Sequence, residues 1–282
     1  AEDTKLKRKV ALKFLPERVS MDATELKRFE YEAQSAAALN HPNIAHIYAF
    51  EEVNGQSFIA MEYVNGKELR ELIEDGELAM EQKMDIAKQM AEGIRAAHAA
   101  GIIHRDIKPD NIILRSSQLE PVLLDFGAVK ETMGTVVSES QNPTKSVVVG
   151  TPGFMPSEQS VGRPMFNSDL YALGLVGILA LTGKTPQEFP SDPNTGNLVW
   201  RPEVPQITPS FANVLECAIQ SHPRDRFASA REMREALDSN AGVPATVVSS
   251  PQANSLPATQ VSHPPSTPAT AYPTTPPTKT GM

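Results

Sequence analysis

The stretch from Ile102 to Gly127, IIHRDIKPDNIILRSSQLEPVLLDFG, constrains this chain more than any other. Two short apolar runs, Ile112–Leu114 and Val122–Leu124, flank a polar break from Arg115 to Glu120. Apolar runs of that length bounded by turn residues predict two buried strands with a tight connection. Such a hairpin carries His104, Arg105, Asp106, Lys108 and Asn111 before its first strand and Asp125 at the end of its second. Two carboxylates and an amide then converge beside a lysine. Oxygen donors of this kind suit a hard cation such as Mg²⁺, and with it phosphate chemistry.

Composition narrows the remaining choices. The length of 282 residues allows one large domain or two smaller ones, and 40% hydrophobic content fits an ordinary core. A net charge of −8 argues against a general nucleic-acid binder. The one cysteine, Cys217, rules out an intrachain disulfide, favours a reducing compartment and, within the helical pattern VLECAIQ, is expected to pack as a core thiol. The first residues are charged, unlike a secretory signal. The long apolar run LYALGLVGILAL, Leu170 to Leu181, falls short of the about 20 residues that span a membrane, so it predicts a buried helix. Asn167, Ser168 and Asp169 precede it as helix-start residues and Gly183 stops it.

HRDIKPDN followed by DFG resembles the catalytic loop and metal-binding motif of eukaryotic-like (bacterial Hanks-type) serine/threonine protein kinases. The resemblance implies an α+β, bilobal fold: a small β-rich lobe over about residues 1–63 and a large, mainly helical lobe over about 67–240. It implies that Asp106 accepts or orients the proton of the attacking hydroxyl, that Lys108 steadies the γ-phosphate of ATP, and that Asn111 and Asp125 hold Mg²⁺, with Mn²⁺ as the alternative. A lysine at the Lys108 position is typical of serine/threonine rather than tyrosine kinases. Leu114 would floor the adenine pocket. His104 and Phe126 would position the loop by packing.

Further segments extend the likeness. Lys9 to Leu15, KVALKFL, has strand composition, and Val10-Ala11-Leu12-Lys13 resembles the VAIK segment, so Ala11 would line the adenine pocket and Lys13 hold the α- and β-phosphates. Asp22 to Leu39 is strongly helix-forming. A glutamate there should pair with Lys13. Helical geometry leaves Glu30 and Glu32 open, and FEYEAQ resembles the family pattern at Glu32. LNHPNI resembles the link to the next strand, with His41 structural. Ser57 to Val64 predicts a strand running into a linker, with Asn65-Gly66 as a turn. By resemblance Met61 is the gatekeeper, and the backbones of Glu62 and Val64 meet adenine. Glu81 to Ala100 carries a core stripe in which His98 is expected to pack, and Gly101 ends that helix.

Ala128 to Val149 is a polar stretch without strong periodicity, where the family's activation segment lies. Arg105 would bind a phosphate installed on it, with Thr144 and Ser146 the leading acceptors. GTPGFMPSEQ resembles the substrate-docking end, Thr151 lying near Asp106. Its Pro156-Ser157-Glu158 replaces the usual APE, and Arg226 is the expected buried partner of Glu158. Asp169 would anchor the catalytic loop from beneath, and the pattern from Phe211 to Ser239 is helical again. Residues 241–282 are dominated by Pro, Ser, Thr and Ala, with Lys279 the only lysine or arginine, which predicts a disordered linker. Its PxxP spacings fit a plain linker better than a ligand for a proline-reading domain.

One departure stands out. The family's G-x-G-x-x-G roof over ATP has no counterpart, since no glycine precedes Gly55 and Ala1 lies 12 residues before Lys13. The simplest account is a fragment missing the family's first strand and much of its second; the runner-up is a natural variant that has lost the loop. The resemblance implies a protein serine/threonine kinase that uses ATP, acts on protein substrates, phosphorylates its own activation segment through dimerisation, and works in the cytoplasm, with a membrane anchor beyond the linker where the full-length protein has one. The alternatives are a kinase-like binding module with little turnover and an adaptor acting through the tail.

Overall fold

The computed structural model of the chain describes residues 1–15, 23–125 and 153–239, without the side chains of residues 23–25, 28, 29, 31 and 32. Alternating apolar and polar residues place the start of the chain in an antiparallel sheet. Its strands are β1 (Glu2–Asp3), β2 (Arg8–Phe14), β3 (Ile47–Val53) and β4 (Gln56–Glu62), in the order β1-β2-β4-β3. Ala11 pairs with Met61 and Lys13 with Ile59, so these four residues share one face. Helix α1 (Ala23–Ala37) covers that face, and its Ala33 joins Leu15, Ile59 and Met61 in one apolar cluster. At the β3–β4 turn Asn54 and Gly55 have φ of 55° and 79°, the left-handed pair that matches the twist of a tight hairpin.

The predicted catalytic hairpin is present as β6 (Ile112–Arg115) and β7 (Pro121–Leu123), with Ile112 opposite Leu123 and Leu114 opposite Pro121. Asn65-Gly66, expected to be a plain turn, instead leads into a third strand, β5 (Gly66–Glu68), which pairs with the other edge of β6. The reason is space. A Cβ on Gly66 would overlap the carbonyl oxygen of Leu114, so only glycine lets the two strands meet.

The helical part comprises α2 (Leu69–Glu74), α3 (Met80–Ala99), α4 (Ser157–Ser160), α5 (Phe166–Thr182), α6 (Pro209–Ala218) and α7 (Ala230–Asp238). Met90, Ala91, Ile94 and Ala97 on α3 are buried, as the stripe predicts. Helix α5 is apolar all round because it lies in the middle of the core. It starts one residue before Asn167, so Asn167, Ser168 and Asp169 form its buried first turn rather than a preceding cap. No helix among the described residues is long and apolar enough to cross a membrane.

Two junctions position the site. At the end of α3 the N–H of Ile102 bonds the Ala97 carbonyl and that of Gly101 bonds His98, with Gly101 at φ 77°. This left-handed stop turns the chain directly into the catalytic loop. The LNHPNI segment is laced to β7: the Leu123 N–H donates to the Asn43 carbonyl at 2.9 Å, and Ala45 donates to the Leu123 carbonyl at 3.0 Å. The buried Asn43 amide adds a 2.8 Å bond to Pro121, and His41 Nδ1 accepts from the Asn43 N–H. His41 is structural, as expected.

Candidate active site

The loop from His104 to Asn111 is held from below by one carboxylate. Asp169, 1% exposed, accepts the N–H of His104 and the N–H of Arg105, both at 2.8 Å. Its Oδ2 also lies 2.8 Å from His98 Nε2. These contacts hold Arg105 at a φ of 69°, a left-handed conformation that a non-glycine residue keeps only when its surroundings impose it. His98, expected only to pack, also supplies a polar contact to this anchor.

His104 links the loop to the second carboxylate. Its Nδ1 accepts the Asp106 N–H at 3.3 Å, so its Nε2 must donate to the Leu124 carbonyl, 2.7 Å away. Burial pushes the imidazole below its usual pKa, consistent with this neutral form. The Leu124 N–H in turn donates to the Asn111 carbonyl at 2.8 Å. Asp125 follows at φ 57°, a second left-handed position.

The side chains expected at the site fall into two groups, Asp106–Asn111–Lys108 and Lys13–Asp125, joined through the backbone of Leu124. Asn111 Nδ2 donates to the carbonyl and Oδ2 of Asp106, at 2.8 and 2.9 Å. Both amide hydrogens are thereby aimed at Asp106, which leaves Oδ1 as the amide atom suited to a cation. Lys13 Nζ lies 2.8 Å from Asp125 Oδ2, and Lys108 Nζ lies 3.8 Å from Asp106 Oδ2. The Leu124–Asn111 backbone bond brings the segments of Asn111 and Asp125 together, and between them they offer an amide oxygen and a carboxylate, both oxygen donors. That chemistry fits Mg²⁺, which is commonly held by one or two protein ligands together with substrate phosphates.

Around this centre the other predicted residues fall as follows. Ala11 packs against the cluster containing Met61, and Met61, Val64 and Leu114 are buried. Glu62 donates its N–H to the His46 carbonyl, while its carboxylate receives Arg115 at 2.7 Å. Glu32 belongs to α1, and its side chain lies outside the described residues. So do Phe126, Thr151, the activation-segment hydroxyls and residues 241–282.

The expected pair beneath the substrate side is formed in full. The Arg226 side chain has no solvent exposure and grips Glu158 with two donors, at 2.7 and 3.2 Å. Ser168 Oγ donates to the same carboxylate at 2.7 Å. Gln159, next to Glu158, donates to the Arg105 carbonyl at 2.5 Å, so this pair supports the catalytic loop as well as the core.

Residues 1–238 match the protein kinase domain family. The chain belongs to that family. Among curated proteins, this kinase domain is 47% identical over 214 residues to serine/threonine-protein kinase PknA of Nostoc sp., an alignment covering 75% of this chain and 38% of that protein. It is 43% identical over 224 residues to serine/threonine-protein kinase C of Synechocystis sp., covering 78% of this chain and 42% of that one. The chain thus spans about two fifths of the length of these relatives. Among solved structures, the Mycobacterium tuberculosis PknI kinase domain superposes with a TM-score of 0.64 at 28% identity, covering 82% of this chain and 86% of that one. A structure described as the PpkA-294 apo form gives 0.68 at 26% identity, covering 84% and 89%. The α+β, bilobal architecture is therefore that of protein kinases.

Three contacts of the kinase domain went unnoticed in sequence. His98 to Asp169, Glu62 to Arg115 and Arg70 to Asp110 each join residues far apart in the chain. No local pattern signals them.

Proposed function

We propose that this chain is the catalytic part of an ATP-dependent protein serine/threonine kinase. The observation that carries the reading is the convergence of Asp106, Lys108, Asn111, Asp125 and Lys13 on one loop, one hairpin end and one facing strand. Asp106, kept in place by Asn111 and by the His104–Asp169 anchor, takes the proton from the attacking hydroxyl. Lys108 steadies the transferred phosphoryl group, and Lys13 holds the phosphates that stay behind. Asn111 and Asp125 hold Mg²⁺, which when bound offsets phosphate charge. At the linker the Glu62 N–H is committed to His46, so an adenine contact from that residue falls to its carbonyl. Val64 supplies the companion backbone contact, and Ala11, Met61 and Leu114 supply apolar surface. Glu32 is the proposed partner of Lys13.

The same reading assigns residues 1–240 to the catalytic domain and 241–282 to a linker, with protein substrates, autophosphorylation of the segment before Thr151, self-association for that step, and a cytoplasmic site of action. The single cysteine and the ATP requirement favour that compartment.

The test is phosphoryl transfer from Mg-ATP by the full-length protein, to itself and to a generic basic protein, compared with Asp106→Asn. Loss of a general base predicts a fall of about 10²–10⁴-fold in turnover. Equal turnover by the Asp106→Asn variant would refute the assigned chemistry. Mg-ATP binding with no transfer by the parent would favour a kinase-like binding module instead.

A further inference from the structure

Lys108 stands between two carboxylates of its own loop, Asp106 two residues before it and Asp110 two residues after. It lies 3.8 Å from Asp106. Asp110 is the middle residue of the turn Pro109–Asn111 and is about one third exposed, on the rim of the catalytic loop. Left alone, a carboxylate there would compete for the lysine that the transfer step needs.

It is not left alone. Arg70, the second residue of α2, places Nε 2.7 Å from Asp110 Oδ1 and Nη2 2.8 Å from Oδ2. This planar fork occupies both oxygens at once. The Arg70 hydrogen bonds are the main cause that holds the Asp110 carboxyl below its ordinary range. Nothing in the core requires the pair, because Arg70 and Asp110 both reach solvent.

We propose that Arg70 is a positioning residue for phosphoryl transfer, which by saturating Asp110 keeps Lys108 directed to Asp106 and the incoming γ-phosphate. The proposal rests on the kinase reading above. It assigns Arg70 no contact with substrate.

The test is a double-mutant cycle in the full-length protein with Arg70→Met, Asp110→Asn and both together. Each form is assayed for turnover, for the affinity ratio of Mg-ATP to Mg-ADP, and for melting temperature. Arg70→Met should lower turnover about tenfold and cut the preference for ATP over ADP about three- to tenfold, because Lys108 is drawn toward an uncovered Asp110. Its melting temperature should stay within about 3 °C of the parent, as befits an ion pair about one third exposed on both sides. Asp110→Asn alone should change little, and adding it to Arg70→Met should restore both turnover and nucleotide preference.

A double variant as impaired as Arg70→Met would overturn the proposal, since Arg70 would then act as a mechanical tie and not through the charge of Asp110. Parental behaviour of Arg70→Met would overturn it as well. Nucleotide preference is read without turnover, so a parent that binds Mg-ATP but transfers nothing would sink the kinase reading and leave this cycle decisive. A parent that binds no Mg-ATP would sink both.

Discussion

Replacing Arg226 by methionine removes five donors at once from a fully buried position. Nε donates to the Gln220 carbonyl at 2.7 Å, Nη1 to Glu158 and to the Asn167 carbonyl, and Nη2 to Glu158 and to the Ser221 carbonyl. Methionine fills much of the same volume but bonds none of these. Glu158, whose side chain is 11% exposed, is left charged with Ser168 as its remaining side-chain donor. Breaking a buried pair by removing one partner costs about 3–5 kcal/mol. For a domain of this size about 4 kcal/mol lowers the melting temperature by roughly 8–16 °C. Circular dichroism of the two proteins at pH 7 reads this directly. The acid limb gives a second check. Burial pushes the Glu158 carboxyl up, while the Arg226 and Ser168 hydrogen bonds pull it down by more, so it ends below its ordinary 4.5. A carboxyl lowered on folding contributes stability that is fully present above its unfolded value and is lost as pH falls through its folded one. Glu158→Gln should therefore flatten the loss of stability below about pH 4.5. An Arg226→Met protein melting within 2 °C of the parent would show the reasoning to be wrong by about its whole magnitude.

Asp169→Asn places an amide donor against a backbone N–H, so Arg105 should relax from its left-handed conformation; single-turnover transfer should fall at least about 10²-fold, and an unchanged rate would refute the anchoring role. Gly66→Ala drives a methyl group into the Leu114 carbonyl and should cost about 2–3 kcal/mol by equilibrium unfolding, whereas parental stability would mean that β5 is not tightly paired. Cys217, whose thiol burial pushes up to about 11, should react with a disulfide reagent at pH 8 about 100-fold more slowly than a free thiol, and reaction at the free-thiol rate would show that it is not packed.

The hairpin carrying Asn111 and Asp125 was legible because two apolar runs and a polar break leave few other ways to bury Ile112, Leu114 and Leu123. Helix α5 starts four residues before the apolar run at Leu170: Asn167, Ser168 and Asp169 have helix-capping chemistry, and only tertiary structure shows that they are buried for other work. Strand β5 was hidden by Gly66, which reads locally as a turn and is a glycine because another strand passes close. Helical spacing rightly set His98 on the core face of α3, yet its partner Asp169 lies 71 residues away and no periodicity reports that. Glu30 and Glu32 could not be separated by helical geometry, since both flank the same apolar stripe.

The lacing of Asn43–Ala45 to Leu123 has a mechanical consequence. A segment bonded to a buried strand in both directions cannot slide along it, so it acts as a fulcrum. Helix α1 is fifteen residues long and ends six residues before Asn43, which makes it a lever of roughly 22 Å. A swing of about 5° at the fulcrum moves its far end about 2 Å. Displacements of that size separate an ion pair from two parted charges. Ala33 fastens the small sheet to this lever, so a tilt of that size would carry Lys13 with it, while Asp125 lies two residues beyond the laced strand.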